Sequence, residues 1–96
     1  MIDLTPEQIQ TVRRILSLYV PKLEVRIFGS RVDGRAKPHS DLDLAFMTDT
    51  PLSPRTAALL RDAFSESDLP FKVDVVDWAE ISDSFRKVIE EKNEIF

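Results

Sequence analysis

The 96 residues include no cysteine, which excludes disulfides, thiolate zinc sites and a cysteine nucleophile. That lack fits a reducing cytosol, and a cytoplasmic protein is expected. No apolar run is long enough to cross a bilayer, and no charged-then-apolar leader opens the chain, so neither a membrane span nor a secretory signal is expected. Positive charge is in short supply: 13 Lys and Arg face 17 Asp and Glu, for a net charge of -4. Extended, nonspecific nucleic-acid binding needs a basic face and is not expected here. Glycine is scarcer still. Its two copies both fall in "FGSRVDGRAKPHSDLDLAF", residues 28–46. What remains, 43% hydrophobic and 31% charged, is the composition of an ordinary globular domain. The length predicts one domain over residues 1–96 with a modest core.

The pattern of polarity divides the chain into six main elements. Thr5 is placed to cap a helix, Pro6 suits its first position, and Gln8 completes a capping box, with Leu4 and Ile9 at staple positions. Ile9, Val12, Leu16 and Tyr19 then recur at helical spacing until Pro21. Residues 24–28, "EVRIF", predict a strand. Gly29 to Ser40 carries turn chemistry, with room for one helical turn after Gly29. Residues 41–47, "DLDLAFM", predict a second strand, with Leu42, Leu44 and Phe46 on one face and Asp41, Asp43 and Ala45 on the other. Ser53 and Pro54 open a helix whose apolar stripe is Ala57, Leu60 and Phe64, flanked by Leu59 and Ala63. "FKVDVVDW", residues 71–78, predicts a third strand: Phe71, Val73 and Val75 face one way, Lys72, Asp74 and Val76 the other. From about Ser84 a charged helix follows, with Phe85, Val88 and Ile89 on its buried stripe. The final Ile95 and Phe96 find no obvious place. Helix, strand, strand, helix, strand, helix predicts an α/β fold: one small mixed sheet with helices packed against it.

Strand periodicity sends Asp41 and Asp43 to the same face, with backbones roughly 7 Å apart. Two like charges so placed repel, and burying them without a counter-charge is costly. Two readings follow. One is an acidic, solvent-facing strand edge. The other is a site for a divalent cation such as Mg²⁺, which takes one or two carboxylates together with substrate phosphates. Asp74 adds weight to the second, because aspartate is disfavoured inside a strand and needs a reason to be there. If the two strands are neighbours, three carboxylates converge, able to hold metal and to leave a base for a nucleophile. Asp77 competes for that place but stands where the strand ends and is read as a turn residue. Upstream, Gly29 lets the backbone approach a ligand, Ser30 adds a hydroxyl, and the following amides can face an anion. The spacing of Gly29 and Gly34 imitates a P-loop, but Arg35 and Ala36 replace its Lys and Ser/Thr, which excludes that motif.

Ten residues separate Ser30 from Asp41. The stretch thus resembles the G-S-x10-D-x-D signature of the DNA polymerase beta-like nucleotidyltransferase superfamily. Gly29-Ser30-Arg31, Gly34 and Ser40-Asp41-Leu42-Asp43-Leu44 are most similar to its minimal nucleotidyltransferase (MNT) branch, and "FKVDVVDW" resembles the branch's third-carboxylate strand. The resemblance covers almost the whole chain. It implies the minimal nucleotidyltransferase fold, with Gly29, Ser30, Arg31 and Ser40 around the nucleotide. It also implies that Asp41, Asp43 and Asp74 are the metal-binding and catalytic set, with Asp74 as ligand and general base. The implied reaction transfers a nucleoside monophosphate from an NTP to a hydroxyl and releases pyrophosphate, with Mg²⁺ as cofactor.

Many MNT proteins are antitoxins paired with a small helical HEPN ribonuclease, which they neutralise by transferring AMP from ATP to a tyrosine. The resemblance therefore implies a HEPN-type partner, ATP as substrate and a hetero-oligomer. Larger relatives carry a further domain for base and acceptor, which a partner would here replace. The alternative is a binding module that masks its partner without catalysis; transfer to a small molecule or an RNA end is a third. Arg31 and Arg35 are read either as phosphate or partner contacts or as solvated loop charges. Ser40 is read as bracing the turn before Asp41. His39, Trp78 and Tyr19 are read as a loop residue, a packing residue and a core residue, respectively.

Overall fold

The computed structural model describes residues 2–96. The capping box forms as expected: the Gln8 amide donates to Thr5 Oγ1 at 3.1 Å, and the Thr5 amide donates to Gln8 Oε1 at 3.0 Å. It opens helix α1, Pro6–Tyr19. Strand β1, Val25–Phe28, runs directly into the one-turn helix α2, Ser30–Asp33, and then strand β2, Leu42–Phe46. Helix α3, Pro54–Ser65, begins at Ser53, whose hydroxyl accepts from the Thr56 amide. Strand β3, Val73–Asp77, passes into a 3-10 turn at Trp78–Glu80. Helix α4, Asp83–Glu91, and a short strand β4, Asn93–Ile95, complete the chain.

The four strands form one mixed sheet in the order β3-β2-β1-β4. β1 is antiparallel to both β2 and β4, and β2 is parallel to β3. Strand alternation then sorts the side chains. On one face Leu42, Leu44 and Phe46 join Val12, Ile15 and Leu16 of α1 with Leu60 and Phe64 of α3 in the main core, with Val73 and Val75 at its margin. Ile27, Leu42, Leu44 and Leu60 are fully buried, each stabilising the fold by about 1.5–3 kcal/mol relative to exposure. On the opposite face Phe28, Ala45 and Ile89 form a second cluster with Val76, Trp78 and Phe85. The Phe28 and Phe85 rings meet edge to face at 5.9 Å. Helix α4 thus packs on the face that also carries Asp43 and Asp74.

Three expectations change. The last residues are a strand on the free side of β1, with Arg26 opposite Ile95 and Phe28 opposite Asn93. Phe96, which follows, packs on the main core. Val88, expected on the buried stripe of α4, is 60% exposed, because the helix rests on the sheet mainly through Ile89 and Phe85. Leu59, beside the α3 stripe, is likewise exposed.

Candidate active site

The site is assembled by strand register. In the parallel ladder Asp43 of β2 stands opposite Asp74 of β3, at the strand spacing of about 4.8 Å. Asp41, two residues before Asp43, lies just ahead of β2 and is exposed. The carboxyl of Asp43 is pushed up to about 6, first by burial, then by the charge of Asp74, then by that of Asp41. All three causes raise it, so the group is half-buried among like charges. That is the electrostatic condition a divalent cation relieves.

Gly29 closes the site from the other side. β1 ends at Phe28, which pairs with Asp43, and the chain turns at Gly29 with φ +79°. A Cβ at this position would collide with Asp43 Oδ2 and lie 3.2 Å from its Cγ. The missing side chain therefore lets the turn sit directly against the carboxylate. Ser30 starts α2, whose first amides receive no side-chain cap, while the Val32 and Asp33 amides bond back to the Gly29 carbonyl at 3.1 and 3.2 Å. Gly34 ends the turn in the left-handed conformation.

The other candidates are distributed around this centre. Ser40 braces the loop, its hydroxyl accepting from the Lys37 amide at 2.8 Å and its amide donating to the Lys37 carbonyl at 3.0 Å. Arg31 is buried, and its guanidinium donates to the carbonyls of Asp3, Lys37, Pro38 and Ser40. The fork is committed to backbone oxygens and is not a solvated loop charge, which is one of its two readings. Arg35 is exposed and tied to Asp33 through Nε at 2.9 Å and Nη2 at 2.6 Å. That hydrogen bonding holds the Asp33 carboxyl below its ordinary value. His39 is exposed with Nδ1 3.2 Å from the Pro70 carbonyl. Asp77 ends β3 and accepts from the Leu52 amide at 2.7 Å, the Ala79 amide at 3.3 Å and the Thr48 hydroxyl. Trp78 packs in the second cluster beneath the Arg86 guanidinium.

Lys72, which the strand pattern puts on the face of Asp74 without assigning it a role, is a further neighbour. Its Nζ stands 3.4 Å from Asp74 Oδ1, and the signal was available, since positions 72 and 74 share a strand face. Among the described residues no three carboxylates or imidazoles form a ready-made metal cage. The donors nonetheless suit Mg²⁺: hard carboxylate oxygens on adjacent strands, an exposed third at Asp41, and a backbone turn packed against Asp43.

A family model described as Polymerase beta, Nucleotidyltransferase, matches residues 10–96. The chain is 48% identical over 88 residues to the probable protein adenylyltransferase MntA of Haemophilus influenzae, spanning 92% of this chain and 77% of that protein. Among solved structures, a toxin–antitoxin with AMP-PNP is similar at TM-score 0.74 and 24% identity, over 90% of this chain and 69% of that one. A spectinomycin adenyltransferase from Enterococcus faecialis, solved with ATP and spectinomycin, is similar at TM-score 0.58 and 21% identity, over 96% and 48% respectively. These two structural likenesses concern the fold.

Proposed function

Because the chain belongs to the Polymerase beta nucleotidyltransferase family, we propose that it transfers AMP from ATP to a tyrosine hydroxyl of a helical HEPN ribonuclease, in the cytoplasm, and thereby acts as that toxin's antitoxin. The observation that carries this reading is the pairing of Asp43 with Asp74 on adjacent strands, with Gly29 pressed against Asp43. The relative named as a protein adenylyltransferase supports a protein acceptor. The toxin–antitoxin neighbour with AMP-PNP supports the partner and the nucleotide.

In this reading the Gly29–Ser30 turn holds the triphosphate through backbone amides and the Ser30 hydroxyl. Asp41, Asp43 and Asp74 would hold Mg²⁺. When bound, the ion neutralises phosphate charge and steadies the attacking and leaving oxygens. A phenol is a weak nucleophile at neutral pH, and in this reading Asp74, half exposed beside Lys72, would accept its proton. The tyrosine oxygen then forms a bond to the α-phosphorus as the α–β bridge breaks. The products are tyrosyl-AMP and pyrophosphate.

The test is incubation with labelled ATP, Mg²⁺ and the co-encoded helical protein. Wild type should place label on a tyrosine, and Asp43→Asn should lower the rate by at least about a hundredfold, as loss of a principal charge-stabilising group does. No label with wild type, or equal label with the variant, rejects the proposal.

A further inference from the structure

We infer that Arg31 is a positioning residue for the metal–nucleotide site, one that locks the phosphate turn, the approach to Asp41 and the approach to Asp74 into a fixed relation. The inference rests on the nucleotidyltransferase reading above and adds a determinant outside the carboxylate set. Arg31 is only 5% exposed, and a buried cation is costly unless its donors are satisfied. Here Nε donates to the Ser40 carbonyl at 3.1 Å, and Nη1 to that of Asp3 at 2.9 Å. Nη2 reaches Ser40 at 2.8 Å, Pro38 at 3.1 Å and Lys37 at 3.3 Å. Every one of these partners is a neutral carbonyl, so the guanidinium works as a backbone clamp and not as half of an ion pair.

What the clamp joins gives it its role. Arg31 follows Ser30 within α2, so its own backbone belongs to the phosphate turn. Ser40, which takes two of its bonds, directly precedes Asp41. The guanidinium also stacks over the Phe71 ring, 4.1 Å from its centroid, and Phe71 lies three residues before Asp74. The Arg31 backbone carbonyl accepts from the Asp3 amide at 2.7 Å, which ties down the segment before α1 as well. Residues 34–41 have no regular secondary structure; the Ser40 amide shares the Lys37 carbonyl with Arg31, while the carbonyls of Pro38 and Ser40 are held by the fork. Lysine cannot reproduce it, since a point charge with three donors lacks the planar spread that reaches several oxygens and covers a ring.

Binding of Mn²⁺·ATP, followed by the electron paramagnetic resonance of free Mn²⁺ as a stand-in for Mg²⁺, tests this without reliance on turnover. Arg31→Lys should weaken Mn²⁺·ATP binding about 10–100-fold, the range for groups that orient metal ligands. Phe71→Leu, which keeps apolar bulk but removes the ring, should weaken it in the same direction and serves if Arg31→Lys does not fold. Val12→Ala, a core change in α1 that removes none of the Arg31 hydrogen bonds nor the Phe71 ring, should lower the thermal midpoint yet bind like wild type. Wild-type binding by both Arg31→Lys and Phe71→Leu overturns the inference, as does equal weakening in Val12→Ala. Failure of wild type itself to bind overturns the nucleotide reading, and this inference with it.

Discussion

Asp43 is held where its ionised form is least welcome. Its ordinary value is 3.8, and burial with the charges of Asp74 and Asp41 pushes it up to about 6. The folded protein therefore binds this proton more tightly than the unfolded chain does. The resulting stabilisation is fully present below about pH 4 and is lost as pH rises through about 6. At pH 7.5 the fold carries an ionised carboxylate that burial and the charges of Asp74 and Asp41 disfavour. In metal-free buffer, Asp43→Asn should accordingly raise the thermal midpoint at pH 7.5 and flatten the part of its pH dependence lying between 4 and 6.5. Mg²⁺ should raise the wild-type midpoint at pH 7.5 and leave that of the variant nearly unchanged. A variant that keeps the wild-type slope through that window would show that another group is responsible.

At the level of elements, β1 is the beam on which the site is mounted. It pairs with β2 on one side and β4 on the other, so Phe28 stands between Asp43 and Asn93 immediately before the Gly29 turn. Asn93 joins three pieces of chain: its Oδ1 accepts from Arg26 Nη1 at 2.9 Å, and its Nδ2 donates to the Ile89 carbonyl at 3.0 Å. Asn93→Ala removes two partly buried hydrogen bonds and should cost about 1–2 kcal/mol by urea denaturation. Amide exchange at Ile27 and Phe28 should quicken, while AMP transfer persists. Sequence pattern was most informative where local physics decides: the Thr5 capping box, the Ser53 cap, and the alternation that puts Asp43 and Ala45 opposite Leu42 and Leu44. It was silent on β4, because a three-residue edge strand is too short to alternate. It raised the adjacency of β2 and β3 only as a condition, without its parallel sense, and did not reach the burial of Arg31. Both depend on partners distant in sequence, and an arginine in a turn looks the same whether it reaches solvent or four carbonyls.

For the molecule as a whole, the proposed antitoxin role could be exercised by reaction or by occlusion, and the two differ in stoichiometry. Masking consumes one antitoxin per toxin site, needs no nucleotide and reverses on separation. Transfer of AMP turns over, requires ATP and leaves a covalent mark. The geometry favours the reaction, since a mere cover gains nothing from Asp43 and Asp74 in register, with burial and like charge raising the Asp43 carboxyl. With ATP and Mg²⁺ present, a small fraction of an equivalent should therefore silence an excess of the ribonuclease progressively over time. The silence should survive removal of the antitoxin, and omission of ATP should prevent it. Asp43→Asn should lose the sub-stoichiometric effect while retaining the fold. Neutralisation that titrates to equivalence without ATP, and equally well with Asp43→Asn, would assign the function to the surface of the protein and leave the three aspartates without a part in it.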